Sequence, residues 1–247
     1  MSSRGSATAV CVLERASPAR VAGKNPMGGT ITALVAQKRN KERVNVYIDG
    51  EFAFGLALIE AAKLHKGQHL SDEEIERLKA LDEVERAHER ALHFLSYRPR
   101  SSEEVRRRLR EKGFSDEAVE AVIERLERVG LLNDEAFARF WVENRENFSP
   151  RSMRALRYEL RQKGVPEPVI ESALAEMDEE DAAYRAAKAR LRRYQDADER
   201  TFRKRLGDYL LRRGFSYGVV RDVLDRLWVE VSTHATEDDE NLNFGMD

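Results

Sequence analysis

The stretch that decides the fold is Ser96–Phe114, "SYRPRSSEEVRRRLREKGF". It is crowded with arginine, it ends on a glycine followed by an aromatic residue, and its plan returns twice. "FSPRSMRALRYELRQKGV" (Phe148–Val165) repeats it closely, and "DERTFRKRLGDYLLRRGF" (Asp198–Phe215) repeats it more loosely. The three glycines, Gly113, Gly164 and Gly214, are 51 and 50 residues apart. Around each the apolar residues fall at the same offsets. Val105, Leu156 and Leu206 lie eight before it, and Leu109, Leu160 and Leu210 four before it. Val119, Ile170 and Val220 lie six after, Val122, Ala173 and Val223 nine after, Ile123, Leu174 and Leu224 ten after, and Leu126, Met177 and Leu227 thirteen after. Separations of three, four and seven place each set on one face of a helix. The glycine belongs where a helix stops in the left-handed conformation and the chain reverses.

A further helix precedes each basic one, at about Val84–Tyr97, Asp134–Phe148 and Asp178–Gln195. In the first two blocks Pro99 and Pro150 separate the pair, because the residue before proline avoids helical geometry. Each block is therefore three helices, none able to bury its apolar stripe alone, and stacking the blocks predicts an elongated, curved array of the solenoid kind.

Upstream, Ile31–Gln37 and Arg43–Ile48 are rich in β-formers, Asp49-Gly50 is a tight-turn signal, and "EFAFG" reads as a returning strand. A small hairpin or meander of two or three strands follows, then "LALIEAAKLH" as a short helix ended by Gly67. Ser71-Asp72-Glu73-Glu74 is a capping box, its serine and its third-position glutamate each able to bond the other's backbone N–H. The fold class read from these signals is mainly α: tandem three-helix repeats with a small N-terminal β-meander. The boundaries run as a disordered tail over 1–29, the meander with its helices over 30–82, repeats over 83–132, 133–177 and 178–232, and an acidic disordered tail over 233–247.

Charged residues make up 36% of the 247-residue chain, well above the usual quarter, and the formal net charge of −2 conceals segregation along it. The middle helices, 100–112, 151–163 and 200–213, hold 17 basic and 5 acidic residues; the helices after them hold 11 acidic and 4 basic. Two readings stand. The surplus cations form a stripe that attracts phosphate or an acidic protein surface, or a basic helix simply neighbours an acidic one inside each unit. The candidate binding residues are Arg98, Arg100, Arg106, Arg107, Arg110, Arg151, Arg154, Arg157, Arg161, Arg203 and Lys204.

Catalytic and metal signals fail on inspection. His65 and His69 are separated by Gly67, His88 and His93 have no thiol nearby, and HExxH, paired CxxC and GxxxxGK[ST] motifs do not occur. Nothing pairs a nucleophile with a base. No enzyme, metal or cofactor is therefore expected. Cys11 is the only cysteine, which fits a reducing compartment. No apolar run reaches the roughly 18–20 residues that span a bilayer, so no membrane partner is expected. Trp141 and Trp228 read as packing residues, and Tyr97 and Phe148, each 16 before its glycine, as the aromatics placed to flank the arginine-rich turn.

"VYIDGEFAFGL", "ALHFLSYRPRSSEEVRRRLREKGF", "VIERLERVGLLNDEAFARFWVENR" and "SPRSMRALRYELRQKGV" together resemble the RecX regulatory proteins of bacteria, over about Ile31 to Val229. The resemblance implies a cytoplasmic, monomeric, cofactor-free modulator of the RecA recombinase, usually an inhibitor of its filament on DNA. It implies weak, sequence-independent contact with single- or double-stranded DNA. The third block departs from the pattern, with Arg200 in place of the prolines and Gly207 and Leu211 in place of outward arginines. Two other functions are compatible with the residues alone: a stand-alone helix-turn-helix-like DNA-binding protein, and a helical scaffold that binds proteins through its acidic faces.

Overall fold

The computed structural model describes residues 28–243 except 39, 195 and 196, and only the backbone of 233–243. The expected tail over 1–29 lies almost wholly outside the described residues, as do 244–247. The chain divides into two compact units, Met1–Lys79 and Ala80–Asp247.

In the first unit, β1 (Gly29–Ala36), β2 (Arg43–Ile48) and β3 (Glu51–Ala57) form an antiparallel meander, and β4 (His69–Leu70) joins its far edge to give the order β3-β2-β1-β4. Val44 and Val46 on β2, and Phe54 and Leu56 on β3, alternate onto one buried face with Ile31. Asp49 and Gly50 both take positive φ, 51° and 88°, the hairpin turn the dipeptide calls for. Two details depart from expectation. The helix read in "LALIEAAKLH" shrinks to α1 (Leu58–Ala61), because β3 continues pairing through Ala57 opposite Arg43 and no side chain caps the helix start. β4 escapes a reading by alternation, being only two residues long.

α2 (Asp72–Leu95) begins at the expected box: Ser71 N–H donates to Glu74 at 2.8 Å, and Glu74 N–H donates to Ser71 Oγ at 3.2 Å. It runs on unbroken as the first helix of repeat 1. Within the second unit, repeat 1 is completed by α3 (Ser102–Arg110) and α4 (Asp116–Arg128). Repeat 2 is α5 (Asp134–Phe148), α6 (Met153–Gln162) and α7 (Glu167–Leu174); repeat 3 is α8 (Glu179–Leu191), α9 (Glu199–Arg212) and α10 (Tyr217–Asn243). Every residue of the threefold apolar pattern is buried except Ala173, which packs half-buried against the same core. The three glycines take φ of 81°, 74° and 94°, and the residue after each sends its N–H back to the leucine four before the glycine.

α10 does not stop at 232, where an acidic tail was expected; it extends to Asn243. No glycine or proline stands between Gly218 and Gly245 to end it. No helix among the described residues is long and apolar enough to cross a membrane.

Candidate functional site

Each central helix is tied at both ends, and the ties account for most of the arginines. In repeat 1, Arg106 Nε donates to both Glu120 oxygens at 3.0 and 3.1 Å, and Arg110 to Asp116 at 2.7 Å. Repeat 2 reproduces this at the same separations: Arg157 donates to Glu171 at 2.7 and 2.9 Å, and Arg161 to Glu167 at 2.7 and 2.6 Å. The guanidiniums of Arg110, Arg157 and Arg161 are pushed further into their charged form by these hydrogen bonds. Repeat 3 has Gly207 and Leu211 at these positions. There Arg203, one turn earlier, bonds Asp225 and Glu199, and a Cβ on Gly207 would meet Leu224 at 3.4 Å. The basic helix neighbours an acidic one inside each unit, the second of the two readings of the charge pattern.

The turns before α3 and α6 each join one repeat to the next. Ser101 and Ser152 are fully buried N-caps. Ser101 Oγ donates to the carbonyl of Lys163, and Lys163 Nζ returns to Glu104 at 3.2 Å while resting 4.1 Å from the Trp141 ring. Ser102 N–H donates to Asp134 at 2.8 Å. One repeat on, Ser152 N–H donates to the carbonyl of Arg213, Met153 N–H to Glu179 at 3.0 Å, and Arg213 Nη1 reaches Ser149 Oγ and the Pro150 carbonyl. The start of one central helix thus sits on the glycine turn that ends the next.

Arg98 and Arg100 serve this joint. Arg98 donates to Glu104 at 2.9 Å, and Arg100 lies 4.0 Å over the Phe94 ring with 15% of its side chain exposed. Burial, then Arg98, lowers the Arg100 pKa. Burial works to raise the Glu104 pKa, but hydrogen bonds from Arg98 and Lys163 outweigh it and hold the carboxyl below its ordinary value. Arg151 pairs with Glu159 at 3.1 Å, beside Arg145 and the Trp141 indole N–H.

Arg107, Arg154 and Lys204 are different. All three are exposed, and among the described residues none makes an ion pair. Arg154 and Lys204 both stand ten before their glycines, and Arg107 stands six before its own. The counterpart of Arg107 in repeat 2 is Tyr158, 65% exposed and one helical turn from Arg154. Tyr158 was not singled out from the sequence; its sign there is an aromatic at a position whose neighbours three and four away are basic. Tyr97 and Phe148 are exposed as their place by the arginine-rich turn implies, and Tyr97 OH meets His93 Nε2 at 3.2 Å.

Comparison with known proteins agrees with this architecture. Residues 29–71 match the family described as "Regulatory protein RecX N-terminal domain", and 87–126, 133–174 and 178–224 match the first, second and third RecX three-helix domains. This chain belongs to the RecX family. Its relatives include regulatory protein RecX of Bacillus subtilis, 33% identical over 81% of this chain and 78% of that protein. RecX of Geobacillus kaustophilus is 34% identical over 79% and 76%. A crystal structure of regulatory protein RecX superposes with a TM-score of 0.62 at 30% identity, covering 80% of this chain and 99% of that one. RecX from Lactobacillus salivarius shares the fold at a TM-score of 0.53, over 60% of this chain and 99% of its own.

Proposed function

We propose that this chain is a non-enzymatic, cytoplasmic regulator that binds the RecA–DNA filament and lowers recombinase activity. The observation that carries this reading is an array of three like units in a RecX-family chain, with unpaired cations on successive central helices at Arg107, Arg154 and Lys204. A repeating ligand engages repeating contacts, and several weak ones act together through effective concentration. Arg154 and Tyr158 offer a cation and a flat ring side by side, suited to phosphate or to an acidic protein edge. Arg98, Arg100, Arg106, Arg110, Arg151, Arg157, Arg161 and Arg203 act in this reading as the frame that holds the contact surface, and reach the ligand only as partners already bound to carboxylates.

That same pairing weighs against a stand-alone helix-turn-helix protein, whose reading helix needs free side chains to meet base edges. The test is RecA-dependent ATP hydrolysis on single-stranded DNA, titrated with wild type and with an Arg107→Ala, Arg154→Ala, Lys204→Ala triple variant. Wild type lowers the rate, and the triple variant needs at least about tenfold more protein for the same effect, the cost of a few charge contacts at about 0.5 kcal/mol each. A wild-type chain that leaves the rate unchanged overturns the filament reading. Equal potency of the triple variant removes these three cations from it.

A further inference from the structure

The seats at the ends of α6 and α9 are filled, and among the described residues none fills the matching seat at the end of α3. Glu103 lies against Gly164 so closely that an added Cβ would stand 2.4 Å from its side-chain carbons, and Ser152 Oγ lies 2.6 Å from the same point on Gly214. At Gly113 no atom of the described residues lies within 4 Å of that point. Lys163 and Arg213 are half-buried in their seats, whereas Lys112 is exposed and, among the described residues, makes no ion pair. Val165 and Phe215 are buried beneath their seats; Phe114 is only partly so.

The chain also carries a spare occupant. The box that fills the α6 seat is Ser101-Ser102-Glu103-Glu104, and the one at the start of α2 is Ser71-Asp72-Glu73-Glu74. Both are reciprocal capping boxes with the same serine, the same paired glutamates and the same spacing. Ser101 is buried and gives its hydroxyl proton to a carbonyl of the next repeat. Ser71 is exposed and turns its hydroxyl onto its own Glu74 at 3.1 Å. Among the described residues, the bonds of Ser71 stay within its own turn, and Lys112 Nζ makes no ion pair.

We propose that the Lys112–Gly113 end of α3 is a docking seat for the Ser71–Glu74 box of a second copy of this chain. Ser71 Oγ donates to the Lys112 carbonyl, Glu74 accepts from Lys112 Nζ, and Glu73 covers Gly113. Charge favours the match: Asp72, Glu73 and Glu74 approach the negative end of a helix that carries Arg107 and Lys112, while Arg108 there is already held by Glu111 at 3.2 Å. A box that meets a seat is a contact between two unlike patches, so it is head-to-tail. It is small, so the association is weak and appears at high local concentration, such as copies side by side on a shared ligand.

The test needs neither RecA nor DNA, so it stands or falls apart from the function proposed above. Sedimentation velocity of the full chain from low micromolar to near-millimolar concentration should show a rising weight-average coefficient. Lys112→Glu and Glu74→Lys should each weaken association at least about tenfold, as loss of a charged pair with repulsion in its place requires. Mixing those two variants should regain it, because the native box of one then meets the native seat of the other, and the reversed box meets the reversed seat. Circular dichroism melts confirm that each variant is folded, and Lys112→Gln supplies a neutral seat if Lys112→Glu is not. A concentration-independent monomer, association untouched by the Lys112 variants, or failure of the mixture to regain it overturns the proposal.

Discussion

The joint between repeats 1 and 2 and the joint between repeats 2 and 3 use one plan with different materials. Repeats 2 and 3 share a single apolar cluster that runs from Phe137 to Leu227, with Phe202 fully buried within it. Repeat 1 keeps a core of its own, and the groups that bind it to repeat 2 are polar: Ser101, Ser102, Glu104, Asp134 and Lys163. Apolar burial is strong and tolerant of direction, whereas buried hydrogen bonds contribute little net stability but penalise every misalignment. The first joint therefore sets register, and the second, which has the same kind of polar ties over a shared core, adds stability to register.

The largest expected effect strikes the core that repeats 2 and 3 share. Phe202→Ala removes a buried ring packed 5.2 Å from Trp228 and should cost about 3–5 kcal/mol. Urea unfolding followed by Trp141 and Trp228 fluorescence should shift strongly, while hydrogen exchange at Val105, Leu109, Val122 and Ile123 in repeat 1 changes little. Equal loss of protection in repeat 1 would show that the two cores unfold as one.

The glycines sharpen the comparison, because one turn is bare and another is covered. Gly113→Ala meets only the left-handed backbone penalty, about 1–2 kcal/mol. Gly164→Ala meets that penalty and the Glu103 side chain, and should cost about 1 kcal/mol more. Equal midpoints for the two variants in urea would mean that the first joint yields freely. Ser101→Ala should come next, at about 1–2 kcal/mol, since it loses a cap on Glu104 N–H and leaves the Lys163 carbonyl without its donor.

Acid probes the same joint more gently. The folded-state pKa of Glu104 is depressed, so its carboxylate stabilises the fold fully above the unfolded value of about 4.3. That contribution is lost as pH falls through the depressed folded value. Glu104→Gln should flatten the fall in stability below about pH 4.3 and leave the slope near neutrality unchanged. A parallel pair of pH profiles would detach Glu104 from the joint.

How far these features can be read from residues alone depends on their range. The threefold core was legible because burial on a helix follows local period, and one offset table predicts Val105, Leu156 and Leu206 together. The glycine turns were legible because a positive φ has few occupants. The joints were not. Ser101 is an N-cap, but its hydroxyl donates to a carbonyl 62 residues away, and no local pattern carries that distance. Repeat 3 shows the signal in reverse. With Arg200 where Pro99 and Pro150 stand, α9 starts a turn earlier, at Glu199 with Asp198 as its cap, and Phe202 occupies the position of the docking serines. Candidate cations were legible as a class, but sorting paired from unpaired required knowing which turn of α4 or α7 faces the arginines.

The smallest expected effect concerns those paired arginines. Arg106–Glu120 and Arg157–Glu171 recur at one spacing, as do Arg110–Asp116 and Arg161–Glu167. Exposed ion pairs are screened by salt and contribute little, so Arg157→Ala should move the thermal midpoint barely beyond replicate scatter, and less at high salt. Their recurrence then has another cause. A central helix bearing five or six cations would repel an identical neighbour placed at its end, and repeats 1 and 2 are joined end to end through α3 and α6. Carboxylates from the following helix cancel that charge locally. If so, Glu120→Gln and Glu171→Gln together should cost more stability than the two single changes summed, most visibly at low salt. Strict additivity at every salt concentration would leave the pairs as independent surface contacts.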